Sequence, residues 1–174
     1  TTAHWLTPLD GKIVGGQNTD INDYPFSAAL TIKCQKDGEA SYWFCGASIV
    51  NQRLLLTAAH CVSECTHRSF ITANLGNTNK LKGTAYLADS FLTHENYVEG
   101  FVDNDIALIK LQQRIVFNSM TSRVALMDKP PYKEMAHIAG WGAVSVNIRI
   151  IIDIRIIIVK LPLDVNFYIA LCMY

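Results

Sequence analysis

The sequence predicts an all-β protein. Short runs rich in apolar, aromatic and β-branched residues recur along the chain, as strands do. Glycine, asparagine and aspartate punctuate those runs, which is turn chemistry. Hydrophobic residues make up 50% of the chain and charged residues 17%, enough for a buried core and against disorder. Short strands with turns between them build a sandwich or a barrel.

In order, residues 1 to 12 lack periodicity and carry Pro8 and Gly11, so they read as a leader. Lys12 then meets Ile13-Val14-Gly15-Gly16, an apolar pair followed by two glycines. That junction reads either as a proteolytic site after an exposed lysine or as a loop entering a strand. Strands are expected over Phe26 to Ile32, Trp43 to Val50 and Arg53 to Thr57. A polar turn over Gln35 to Ala40, containing Asp37-Gly38, separates the first two. Phe70 to Leu75, Thr84 to Leu92 and Ile106 to Leu111 continue the pattern. A polar break at Asn118 to Arg123 and the pair Pro130-Pro131 predict a crossover to a second unit. Another strand is expected from Ala136 to Trp141.

The tail is unusual. From Ile148 to Val159, eight of twelve residues are isoleucine. Isoleucine is stiff at χ1 and favours strands. Arg149, Asp153 and Arg155 alternate onto one face with Ile151. The run reads as a strand, with a retained non-coding stretch as the alternative. Left unpaired, it would promote aggregation.

Several function classes are excluded. Fifteen basic residues balance fifteen acidic ones, which leaves no electrostatic footprint for nucleic acid. No uncharged apolar run reaches the roughly eighteen residues of a membrane span. Residue 1 is Thr and no signal peptide opens the chain, so the translation start is expected upstream. None of the five cysteines (Cys34, Cys45, Cys61, Cys65 and Cys172) sits in a C-x-x-C pair, against zinc. Their number fits two bridges with one left over in an oxidising compartment. It fits five reduced thiols in a cytosolic protein equally well.

The chemistry centres on His60, in Leu56-Thr57-Ala58-Ala59-His60-Cys61. Asp105 opens the apolar strand Ile106 to Ile109, so partial burial is expected. A buried carboxylate needs partners, and an imidazole N–H is a good one. Such a pair fixes the tautomer and orientation of the histidine, whose other nitrogen can then accept a proton from a nucleophile.

The chain resembles the chymotrypsin-like (trypsin-family) serine proteases. The matching pieces are Ile13-Val14-Gly15-Gly16, Tyr24-Pro25-Phe26, Phe44-Cys45-Gly46-Ala47-Ser48-Ile49, Leu56 to Cys61, Leu75-Gly76, Asp105 to Leu111 and Ala139-Gly140-Trp141-Gly142. They follow the family's order and spacing from residue 13 to 142. The resemblance implies a double antiparallel β-barrel. Its first barrel, residues 13–120, would be complete, and its second, residues 121–174, partial. It implies a secreted serine endopeptidase with His60 as general base and Asp105 as its orienting acid. It implies the bridge Cys45–Cys61 around the histidine loop and a second bridge, Cys34–Cys65. Lys12-Ile13 resembles the activation cleavage site for another protease, and His94-Glu95-Asn96-Tyr97 a structural turn. Partners would be peptide or protein substrates. No cofactor and no metal are expected, because Gly76 to Gly83 holds no acid to bind calcium.

The pattern then stops. In the family the serine nucleophile follows the acid by about 93 residues, near position ~198 here. No Gly-Asp-Ser-Gly-Gly occurs in the 174 residues, and Ser119, Ser122 and Ser145 sit in no such context. The oxyanion donors, the carboxylate that receives the Ile13 amine and the specificity pocket would lie on the same missing segment. Leu161-Pro162-Leu163 and Cys172 resemble the family's next strand and a cysteine whose partner comes later. The sequence thus predicts a C-terminally truncated protease, inactive alone with Cys172 unpaired. The alternatives are a non-catalytic homologue acting as a binding or decoy protein, or a truncated product without function.

Overall fold

A computed structural model of the chain describes residues 17–36, 38–66, 69–100, 103–126, 136–142, 159–160 and 167–170. The leader, Lys12-Ile13, His67, most of the isoleucine run, Ser145, the Leu161 to Leu163 motif and Cys172 lie outside those residues.

Six strands form a closed barrel: β1 (Ser27–Lys36), β2 (Glu39–Ile49), β3 (Leu54–Thr57), β4 (Phe70–Leu75), β5 (Thr84–Thr93) and β6 (Ala107–Leu111). They are joined in the order β1-β2-β3-β6-β5-β4 and every pairing is antiparallel. Period-2 alternation sets which face is buried. On β1, Leu30 and Ile32 are fully enclosed, while Thr31 and Lys33 between and beyond them turn outward. Leu55, Ile109, Leu111 and Ile49 complete the interior from the other strands. Each such side chain contributes about 1.5–3 kcal/mol of burial free energy. The interior is therefore the main source of stability, and it holds the strand ends that carry the site.

Two strands are longer than their composition suggests. The expected turn over Gln35 to Ala40 narrows, because Lys36 pairs with Glu39. Gly38 adopts φ 89°, the left-handed conformation a tight hairpin needs and glycine supplies without steric cost. Polar residues there are strand residues on an outward face. A bulge between Ala88 and Ser90 interrupts β5 against β6.

Beyond the barrel, residues 118–124 run back over one end of it. Val124 N–H donates to Ile49 O and Ser122 N–H to Pro25 O. Val124 packs with Phe26 and Tyr24 in a second small apolar cluster. Four short strands then form a separate sheet: β7 (Ala125–Leu126), β8 (Ala136–Ala139), β9 (Val159–Lys160) and β10 (Phe167–Ala170), in the order β7-β9-β10-β8. β10 runs parallel to β8, whereas the other two pairings are antiparallel. The strand expected to reach Trp141 ends at Ala139, because Trp141 leaves the sheet and donates its indole N–H to Thr78 O at 2.6 Å.

Candidate active site

The barrel's hydrogen-bond register brings the site together. Thr57, the last residue of β3, pairs with Ala107, the first of β6. The residues just after β3 and just before β6 therefore emerge at one end of the barrel. His60 follows Thr57 in a single 3-10 turn, Ala59–Cys61. Ala58, at φ −82° and ψ 150°, is extended and swings the chain into that turn. Thr57 Oγ1 donates to Gly46 O, which ties the strand end to β2.

Asp105 reaches His60 through both carboxylate oxygens. Its Oδ1 accepts the His60 backbone N–H at 2.8 Å, and its Oδ2 lies 2.6 Å from His60 Nδ1. The side chains are only 15% and 23% exposed, so solvent screening is limited. The carboxylate thus holds the position of the 3-10 turn as well as the ring. An ionised carboxylate only accepts, so Nδ1 carries the proton and Nε2 is the basic nitrogen of the neutral ring.

Asp105 is itself held from behind. Asn104 adopts φ 58°, a left-handed conformation that asparagine tolerates. Its side-chain amide donates to Asn96 O, and Ile106 N–H donates to Asn104 O. His94 belongs to this scaffold. Its N–H donates to Ile106 O, and its Nδ1 accepts the Asn96 N–H at 3.1 Å.

Two disulfides fasten the histidine turn. Cys45 on β2 is joined to Cys61, with Cα atoms 6.3 Å apart. Cys34 near the end of β1 is joined to Cys65, with Cα atoms 4.9 Å apart. Trp43 reinforces the first by donating Nε1–H to Cys61 O at 3.0 Å. Around the second, Gln35 N–H donates to Ser69 Oγ and Thr66 Oγ1 donates to Gln35 O. Lys36 pairs with Glu64 at 3.3 Å. Cys45, Cys61 and His60 cluster closely enough to suggest a metal, but both sulfurs are consumed by the bridge. Of the serines within the described residues, Ser119 lies in the tight Asn118–Thr121 bridge and Ser122 anchors the returning segment.

One feature of the rim escaped sequence reasoning. Glu64 and Glu99 share a hydrogen bond between their carboxyl groups. That bond holds Glu99 above the usual carboxylate range. It holds Glu64 below the range, with Lys36 adding to the effect. Nothing in two glutamates 35 positions apart announces it. The second contact of Asp105, to the His60 backbone, was equally invisible.

Among known proteins, the trypsin family model matches residues 13–149. The chain is 31% identical to hypodermin-B of Hypoderma lineatum over 143 residues, covering 82% of this chain and 53% of that protein. It is 36% identical to trypsin delta of Drosophila erecta over 142 residues, covering 80% and 53%. The chain therefore spans about half the length of the curated relatives it matches. Among solved structures, it is similar to HL collagenase at a TM-score of 0.59 and 24% identity, covering 67% of this chain and 48% of that one, a likeness of fold. It is also similar to an inactivated protease paralogue of the scabies mite, at a TM-score of 0.58 and 26% identity, covering 68% and 49%. Among the described residues, no helix is long and apolar enough to cross a membrane.

Proposed function

Because the chain belongs to the trypsin family, we propose that His60 and Asp105 are the base and orienting acid of a secreted serine-type endopeptidase. In this reading the serine that completes the site is supplied by sequence beyond these 174 residues. Its hydroxyl attacks the peptide carbonyl and its proton passes to His60 Nε2. His60 then gives that proton to the leaving amine, and water releases the acyl group by the reverse sequence. Asp105 keeps Nδ1 protonated and stabilises the imidazolium that forms. General acid–base transfer of this kind is worth about 10²–10⁴-fold in rate. The observation that carries the reading is the double contact of Asp105 with His60 Nδ1 and the His60 N–H.

The remaining assignments follow the same reading. Residues 13–120 form the first barrel and residues 121–174 part of a second. Cleavage after Lys12 by another protease would free the Ile13 amine. The two disulfides support an oxidising, extracellular setting. Protein or peptide chains are the substrates of the completed enzyme. The 174 residues alone perform no triad-based hydrolysis, since they contain no Gly-Asp-Ser-Gly-Gly.

A non-catalytic binding or decoy role is the second reading, favoured by the similarity to the inactivated mite paralogue. The retained His60–Asp105 pair weighs against it. Sequencing the transcript past Tyr174 separates the readings. Gly-Asp-Ser-Gly-Gly downstream supports the enzyme, a substituted serine supports the homologue, and an immediate stop supports a truncated product. Peptide-ester turnover by the purified chain that disappears in His60→Ala would refute its predicted inactivity.

A further inference from the structure

The cysteine bridge beside His60 holds three metal-ligating atoms in one place. Cys45 Sγ, Cys61 Sγ and a ring nitrogen of His60 all lie within 4.8 Å of one another. His60 Nε2 is 3.5 Å from Cys61 Sγ. While the bridge is closed, neither sulfur is a thiolate. Opened by reduction, the same atoms become two thiolates and an imidazole.

That set matches zinc. Tetrahedral zinc, with Zn–S bonds of about 2.3 Å and a Zn–N bond of about 2.0–2.1 Å, sets sulfur and nitrogen about 3.6 Å apart and two sulfurs about 3.8 Å apart. The first spacing is present already. The second needs only that the two sulfurs part once the bond between them is broken. The outer contacts also fit. A histidine that binds a metal commonly donates its other ring N–H to a carboxylate, which fixes the tautomer. Asp105 receives Nδ1–H at 2.6 Å, so the nitrogen beside Cys61 is the unprotonated one. Hydrogen bonds independent of the bridge keep the parts in place. Trp43 Nε1–H donates to Cys61 O, Thr57 Oγ1 to Gly46 O, and the His60 N–H to Asp105 Oδ1. Both cysteines are buried, whereas the His60 side chain is partly exposed and gives a metal its way in.

We propose that the reduced chain binds one Zn²⁺ through Cys45 Sγ, Cys61 Sγ and His60 Nε2, with water as the fourth ligand. A dithiol reductant opens the bridge. Its two thiols become a disulfide, and the Cys45–Cys61 bond takes up the two electrons and two protons. Zinc then displaces both thiol protons. A disulfide oxidant reverses the sequence, closing the bridge and releasing the metal. Bridge and zinc thus exclude each other, and zinc occupies the nitrogen that otherwise accepts a proton. The site stands on these contacts alone and holds whether or not His60 serves a protease.

The test is a Co²⁺ titration of the purified 174-residue chain, with Zn²⁺ then added as competitor. One portion is reduced with a phosphine, which adds no thiol ligand of its own, and one is left oxidised. The expected result is one Co²⁺ per reduced chain, with thiolate charge-transfer and tetrahedral d–d bands that Zn²⁺ abolishes, and no such bands from the oxidised chain. Zinc should shield Cys45 and Cys61, but not Cys34 or Cys65, from alkylation mapped by mass spectrometry. It should also raise the urea midpoint of the reduced chain, as a ligand of the folded state does. Asp105→Asn should weaken metal binding about 10–100-fold, the usual effect of losing the carboxylate behind a ligating histidine. His60→Ala should weaken it at least as much, whereas serine at both Cys34 and Cys65 should leave the bands unchanged. Equal binding by the oxidised chain overturns the proposal, as does the absence of cobalt bands up to millimolar metal. Binding that survives His60→Ala and leaves the urea midpoint unmoved also overturns it, by assigning the metal to thiols of an unfolded chain. So does shielding of Cys34 and Cys65 in place of Cys45 and Cys61.

Discussion

Replacing Asp105 by asparagine isolates what the carboxylate does for His60. The shape is kept and the charge is removed. Asparagine can still accept the His60 N–H through its oxygen, which leaves its NH2 facing Nδ1. Two donors cannot share that contact, so the ring proton must move to Nε2. The ring then has its basic nitrogen on the wrong side. The stability cost can be worked from the two contacts at 2.8 and 2.6 Å. Hydrogen bonds to a charged partner contribute about 1.5–3 kcal/mol and neutral ones about 0.5–1.5. The difference is roughly 1 kcal/mol per bond, or about 1–2 kcal/mol for both after allowing for partial exposure. Long-range ¹H–¹⁵N correlation spectra at about pH 8, above the ordinary imidazole range, read the tautomer directly. Urea unfolding reads the stability. Wild-type chain should show Nδ1–H and Asp105→Asn should show Nε2–H. An asparagine variant that keeps Nδ1–H and an unchanged midpoint would refute the reasoning.

Other substitutions test the scaffold. A Cβ at Gly76, which sits at φ 72°, would come 2.6 Å from Thr121 Oγ1, so Gly76→Ala should lower stability by about 2–4 kcal/mol in chemical denaturation. Replacing Cys45 and Cys61 together by alanine should cost about 3 kcal/mol by the chain-entropy estimate for a short loop, and should broaden the His60 ring signals in NMR spectra. Among the described residues, Ser48 Oγ is buried with no hydrogen-bond partner. Ser48→Ala should therefore be neutral or stabilising by up to about 1 kcal/mol, and a clear loss of stability would reveal a partner for that hydroxyl. The Glu64–Glu99 bond makes a prediction about pH. Because Glu99 is raised, its share of stability is present at low pH and is lost as pH rises through its folded value. Because Glu64 is lowered, its share is present at higher pH and is lost as pH falls through its folded value. Carboxyl ¹³C titration should place Glu99 above Glu64, and Glu64→Gln should bring Glu99 back towards the ordinary range.

Much of the barrel was legible because alternation is a local signal. Leu30 and Ile32 bracket Thr31, and that pattern alone fixes a strand and its buried face. The hairpin tip was misjudged for a related reason. Lys36 and Glu39 look like turn residues by composition, yet one glycine at positive φ lets the strands continue to them. The pair of His60 and Asp105 was readable as a family pattern. Its second hydrogen bond was not, since a backbone donor is present at almost every position and carries no mark in the sequence. Trp141 shows the same limit. Its apolar flank extends a strand by pattern, but the Thr78 carbonyl captures its indole from across the molecule.

The closed barrel also has a consequence for the order in which the chain is assembled. Every residue that positions His60, from the bridge at Cys34 to Asp105, lies within or beside strands that end at Leu111. Closure leaves no edge waiting for a later partner. During synthesis the chain emerges from its N-terminus, and units fold in that order. The His60–Asp105 pair can therefore be assembled once the strands up to Leu111 have emerged, before the residues of the second sheet are available.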